Sequence, residues 1–253
     1  MKNCGELAGK KAFIAGAGRG IGRAVALQLS GMGASVVCAA RTRIDLDSLA
    51  RELSGSDNFM IVADLASGPG IEKMMSYFHD TSFPDIVVAA VDVHRPLAKV
   101  GSEEFDISPE KLAETFQYLN TLFPLALQHQ RANNFGRWIH VSSIVAQMGG
   151  PGQALYIARK NIINSVFRNI AVENGMYNIT ANSVLPGLIL TEGLLKKYGK
   201  AVVDKLSGKN LMKRAGLPEE VACAVGFLAS PQASYITGID LPVCGGYNLS
   251  WSL

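Results

Sequence analysis

The sequence predicts a single α/β domain built on one doubly wound parallel sheet of roughly seven strands, with helices on both faces. Three observations carry that expectation. Short apolar runs alternate with longer helical stretches along the whole chain. The first run ends in a glycine-rich turn, Gly16-Ala17-Gly18-Arg19-Gly20-Ile21-Gly22, directly ahead of a helix. The run over residues 85–91 is apolar beyond its first position, as a strand covered on both faces should be.

The bulk numbers agree and narrow the function. The 253 residues are 48% hydrophobic and 18% charged, which suits a buried core and argues against disorder. The net charge of +3 is small and its cations are scattered, so no nucleic-acid partner is expected. Cys4, Cys38, Cys223 and Cys244 show no CxxC and no metal-type spacing, so no metal site is expected and the thiols read as reduced. No apolar stretch approaches the ~20 residues of a membrane span, and no leader-like run opens the chain; a cytoplasmic protein is expected.

Residues 11–15 read as the first strand. The glycine turn follows, then a helix over 23–30 and a second strand over 34–40. Strand, glycine turn, helix and strand form the first unit of a Rossmann-type dinucleotide-binding sheet. Gly16, Gly18 and Gly20 let the backbone approach a pyrophosphate, and the helix N-terminus attracts its charge. After the second strand, a free ribose 2′-hydroxyl wants a carboxylate and a 2′-phosphate wants cations. Ala40, Arg41 and Thr42 offer no carboxylate and one guanidinium, and Arg19 can converge from the glycine turn, so NADP(H) is favoured over NAD(H). Asp45 and Asp47 read as the acidic first turn of the next helix.

Residues 59–62 form a third strand, followed by Asp64 and Leu65. Asp64 suits either of two roles, accepting from an adenine amine beside the Leu65 backbone or capping the next helix, over 70–79. After the fourth strand, His94 stands at a carboxyl end, where ligands sit in open sheets, and is a candidate to line a substrate pocket. Residues 109–133 read as one long helix containing Asn120; a fifth strand over 138–142 places Ser143 at its carboxyl end. A helix over 156–173 and a sixth strand over 179–184 follow. The turn after that strand carries Pro186, Gly187, Leu188, Ile189 and Thr191, placed to close over a nicotinamide, with Thr191 as a donor. Residues 191–214 are polar and read as a lid. A helix over 218–229 and a last strand over 238–243 complete the chain.

Tyr156 and Lys160 lie four residues apart, hence on one helix face. An ammonium beside a phenol favours the phenolate and lowers a pKa otherwise near 10, so the phenol can exchange a proton with a carbonyl or alcohol oxygen. Ser143 can hydrogen-bond the same oxygen. Read alone, Tyr156 and Lys160 also fit an ordinary surface pair, and Asn120 a structural amide.

Together these residues resemble the classical short-chain dehydrogenase/reductase family, its 3-oxoacyl-carrier-protein-reductase-like branch, over residues 9–246. The resemblance rests on the glycine motif from Ala15 to Gly22, on Ser143, Tyr156 and Lys160, on Asn120 in Leu119-Asn120-Thr121, and on Pro186, Gly187 and Thr191. It implies a ketone reductase using NADPH. Tyr156 would be the general acid, Ser143 would hold the carbonyl oxygen, Lys160 would tune Tyr156 and bind the nicotinamide ribose, and Asn120 would hold a water for proton resupply. It also implies cofactor contacts from Ile21, Leu65, Ala90 and Ile189, a substrate pocket shaped by His94, Gln147, Gln153 and Leu188, and a homotetramer or homodimer.

The chain departs from the family at Ala15, where a Thr is usual, and at Ala89-Ala90-Val91-Asp92, where Asn-Asn-Ala-Gly is usual. Val172 and Asn134 stand where carrier-protein reductases present cations, with Arg131, Arg137 and Arg168 nearby to substitute. Competing expectations are an alcohol dehydrogenase working oxidatively and a catalytically silent NADP(H)-binding sensor on the same fold.

Overall fold

The computed structural model describes residues 5–93 and 96–249. Seven strands form one parallel sheet: β1 (Lys11–Ala15), β2 (Ser35–Ala40), β3 (Phe59–Val62), β4 (Ile86–Ala89), β5 (Gly136–Val141), β6 (Ile179–Pro186) and β7 (Asp240–Val243). Their order is β3-β2-β1-β4-β5-β6-β7, and the seven-stranded parallel sheet with flanking helices is the class expected from the sequence. The chain order reverses between β1 and β4, and a ligand crevice opens at such a switch point.

Alternation along each strand divides the core. Ala12 and Ile14 of β1 point to one face, packing with α1 (Gly20–Gly31), α2 (Arg43–Ala50) and, near the C-terminus, α10 (Pro218–Ala229). Phe13 and Ala15 point to the other, with α3 (Gly68–Asp80), α5 (Gln117–Ala132) and α7 (Ala154–Asn174). Every residue of β4, β5 and β6 is buried, so polar side chains there, among them Arg137, His140 and Asn182, bond to groups inside the protein. Local signals set the helix starts. Ser67 Oγ accepts from the Gly70 amide at the head of α3, with Pro69 in its first turn. At the head of α10, the Glu220 carboxylate accepts from the Leu217 amide.

The helix expected over 109–133 is broken. A short α4 (Pro109–Ala113) ends in a turn at 114–116, and α5 begins at Gln117. The cause lies on another helix. Arg159 of α7 donates through Nε to the Lys111 carbonyl at 2.6 Å, through Nη1 to the Val93 carbonyl at 3.1 Å, and pairs through Nη2 with Glu114. It therefore satisfies a carbonyl that α4 leaves open and replaces the helical continuation. The restart turns Tyr118, Leu119, Leu122 and Ala126 to the sheet, and these apolar stripes are core.

Residues 191–214 form two short helices, α8 (Glu192–Tyr198) and α9 (Lys200–Ser207), joined at Gly199, whose φ of 73° suits glycine. The short α6 (Val145–Met148) links β5 to α7. No helix among the described residues is long and apolar enough to cross a membrane, and no group of His, Cys, Asp or Glu among them could hold a metal ion.

Candidate active site

The site is built at the carboxyl ends of β1, β4, β5 and β6. The backbone turns there are tied to the sheet: the amides of Gly16 and Ala17 donate to the Ala39 carbonyl at 2.9 and 3.0 Å, and Ala90 donates to Ala15 at 3.0 Å. Two glycines of the turn admit no side chain. A Cβ on Gly16 would lie 2.7 Å from the Ala90 oxygen, and one on Gly22 would lie 2.1 Å from the Gly16 oxygen. Arg19, the residue before α1, makes no side-chain cap, so the first amides of this twelve-residue helix face the crevice without one. A pyrophosphate fits that cradle, which has close backbone, no Cβ and open amides. Thr191 sits over it, its Cγ2 3.2 Å from where a Gly20 Cβ would be. The Thr191 hydroxyl also accepts from the Leu194 amide and caps α8, which leaves its own proton to donate.

Beside this cradle lies a cavity of about 900 Å³. Ser143 and Tyr156 both line it, with Gln153, Leu188, Gly187, Thr191 and Arg19. Lys160 is buried one turn behind Tyr156. Its Nζ stands 5.5 Å from the Tyr156 ring centroid and donates to the Val141 carbonyl at 2.9 Å. One helix and one strand end thus bring phenol, hydroxyl and ammonium to one place. Beneath them, His140 Nδ1 meets Asn164 Oδ1 at 2.8 Å in a buried layer. Burial, and then the Lys160 charge, hold the His140 pKa well below its ordinary value, against the hydrogen bond that Asn164 Oδ1 accepts.

Other expected residues fall around this centre. Arg41 is exposed at the end of β2 and Thr42 precedes α2. Leu65 is buried in the core, so only its backbone can face a ligand. Asp64 does not cap α3, because Ser67 does; its carboxylate accepts from the Ala66 amide at 3.1 Å. His94 lies outside the described residues.

Among four further expected residues, Gln147 and Arg137 are corrected by the structure. Asn120 is exposed on α5, since the restart at 117 turns its neighbours Tyr118 and Leu119 inward. Gln147 is exposed on α6 and does not line the pocket. The Ile189 side chain packs into the core and borders a second cavity of about 550 Å³, which leaves its backbone to face the crevice. Arg137, expected near a docking surface, is buried. It donates to the carbonyls of Gly136 and Asn178 and lies 4.3 Å from the Phe135 ring, and burial lowers its pKa to about 10.

The structure adds residues that the sequence reading passed over. Arg159 lines the pocket while clamping α4, and Lys196, Lys197 and Tyr198 of α8 line it as well. Asp92, already marked as a departure, lines it too. Arg159 sits between Tyr156 and Lys160 in sequence, but nothing local signals that its targets lie 48 and 66 residues away.

A family model described as enoyl-(acyl carrier protein) reductase matches residues 16–248. A 3-oxoacyl-[acyl-carrier-protein] reductase, FabG, of Pseudomonas aeruginosa is 33% identical over 251 residues, covering 97% of this chain and 100% of the relative. The FabG of Rickettsia conorii is 35% identical over 247 residues, covering 95% and 98%. A solved structure described as a short chain dehydrogenase/reductase family protein superposes with a TM-score of 0.83 at 29% identity, covering 96% of this chain and 99% of that one.

Proposed function

The chain belongs to the short-chain dehydrogenase/reductase family, an oxidoreductase family, and from that premise we propose that it reduces a ketone to a secondary alcohol with NADPH. The observation that carries this reading is the meeting of Ser143 and Tyr156 in one pocket, with the Lys160 ammonium behind the phenol, next to a glycine cradle that fits a pyrophosphate.

NADPH, when bound, supplies the hydride. The chain's own residues do the rest. The glycine turn and the head of α1 hold the pyrophosphate, and Arg41 with Arg19 faces the 2′-phosphate. Thr191, Pro186 and Gly187 close over the nicotinamide end, and Ala90 supports the turn from below. Ser143 donates to the substrate's carbonyl oxygen and fixes its position. Tyr156 gives that oxygen its proton from the phenol Oη. Lys160 stabilises the phenolate left behind, and its bond to Val141 keeps the ammonium in place while it does so. Residues 191–214 act as a lid that excludes water.

A small carbonyl compound of the 3-oxoacyl type suits the surface better than a carrier-bound one. Arg137 is buried, Arg168 is engaged by Asp240, and Val172 is exposed where a docking cation is expected. The family resemblance extends the reading to a homotetramer, which light scattering of the purified chain tests.

The deciding experiment is NADPH consumption with a panel of 3-oxoacyl esters, free and carrier-bound. Turnover with any of them supports the reading. NADPH binding without turnover of any carbonyl compound replaces it with a sensor.

A further inference from the structure

The sequence places no carboxylate at the end of β2, yet the fold delivers one. Asp45, in the first turn of α2, reaches back across the crevice to Arg19, Oδ2 to Nη2 at 3.0 Å. A Cβ on Gly18 would lie 3.0 Å from the Ala40 Cβ and 3.5 Å from Asp45 Oδ2. The carboxylate therefore stands between the glycine turn and the carboxyl end of β2, where an adenosine ribose sits in such sheets. It is held there. Arg23, one turn into α1, donates to the Asp45 carbonyl at 3.4 Å, to Ser48 Oγ at 3.3 Å and to Glu52 at 2.8 Å, which fixes α2 against α1. Arg41, by contrast, is exposed and has no ion-pair partner among the described residues. Of the two guanidiniums that face a 2′-phosphate, one is free and one is already engaged.

We propose that Asp45 sets cofactor selectivity by competing with the 2′-phosphate for Arg19. The proposal rests on the NADP(H) reading and deepens it. A 2′-phosphate carries roughly two negative charges and, to gain Arg19, must displace a carboxylate that also repels it. A free 2′-hydroxyl meets no such opposition and can donate to the same carboxylate. Asp45 thus narrows the preference for NADP(H) over NAD(H) that the two arginines would otherwise create. Asp47, on the same helix, pairs with Arg43 at 3.9 Å and lies on its exposed side, so it takes no part.

The test measures binding of 2′,5′-ADP and 5′-AMP by titration calorimetry to the full chain, its Asp45→Asn variant and an Asp47→Asn control. Both variants remove one carboxylate from α2, so a loss of helix stability affects them alike. The expected result is that Asp45→Asn raises affinity for 2′,5′-ADP relative to 5′-AMP about 3- to 10-fold, as screened charges at this range allow, while Asp47→Asn leaves the ratio unchanged. An unchanged ratio in Asp45→Asn, or the same shift in both variants, overturns the role of Asp45. The wild-type ratio tests the underlying reading separately. If the wild type prefers 5′-AMP and Asp45→Asn still shifts the ratio toward 2′,5′-ADP, the NADP(H) reading falls and the role of Asp45 stands. If the wild type prefers 2′,5′-ADP and Asp45→Asn shifts nothing, the reverse holds.

Discussion

Lys160 Nζ donates to the Val141 carbonyl at 2.9 Å, and this bond ties α7 to the strand that carries Ser143 at its end. Val141 uses its side chain on the opposite face of the sheet, among Ile139 and Val184, and offers only its backbone to the site. The ammonium is thereby fixed by a group that no side-chain substitution at 141 removes.

In the proposed reaction Lys160 acts through Tyr156, so their effects should not add. Tyr156→Phe is expected to lower kcat about 10²- to 10⁴-fold at saturating NADPH. Adding Lys160→Met to that variant is expected to lower it little further. Steady-state kinetics of the two single variants and the double variant check this. Multiplicative losses would show that Lys160 has a separate role in the chemical step.

Cofactor choice should follow Arg41. Arg41→Ala is expected to weaken NADPH binding about 10- to 100-fold, the worth of a charge-assisted phosphate contact, and NADH binding about 2-fold or less. Fluorescence titration with each nucleotide reads the two constants. Equal losses for both would remove Arg41 from the 2′-phosphate site.

The buried His140–Asn164 pair predicts acid sensitivity. His140 is held neutral in the folded chain, with its pKa below the ordinary value of about 6.5. As pH falls below about 6.5, the unfolded chain takes up a proton that the folded chain refuses. Stability therefore drops toward acid, by up to about 1.4 kcal/mol per pH unit, until the folded pKa is reached. Thermal melts across this range are expected to show the slope in the wild type. They are expected to show it reduced in a His140→Val, Asn164→Leu double variant, which removes both partners. An equal slope in both proteins would assign the acid sensitivity to other groups.

Arg159 should matter to stability as well as to the pocket. Arg159→Met removes one partner of a mostly buried pair and leaves the Lys111 and Val93 carbonyls without their donor. The expected cost is about 3–5 kcal/mol of unfolding free energy, read from urea denaturation. A change under about 1 kcal/mol would mean that α4 and its turn hold without the clamp.

How much of this was legible in the sequence depends on how local each signal is. The apolar runs, the glycine turn ahead of a helix and the Tyr156–Lys160 spacing each lie within a few residues. They specify strand, turn and helix face without reference to the rest of the chain, and the family, the sheet and the Ser143, Tyr156 and Lys160 grouping followed from them. The break between α4 and α5 was not legible, because Arg159, more than forty residues on, holds the Lys111 carbonyl and Glu114 at that point. Arg137 reads as a surface cation until β5 is seen to be buried along its whole length. Asp45 reads as an ordinary first-turn acid until α2 folds back and sets it 3.0 Å from Arg19. Periodicity and spacing are properties of neighbours along the chain, so the sequence by itself determined the elements and the chemical groups they carry. Which distant charge meets which is settled only when the helices pack, and that alone decided the clamp at Arg159, the burial of Arg137 and the pairing of Asp45 with Arg19.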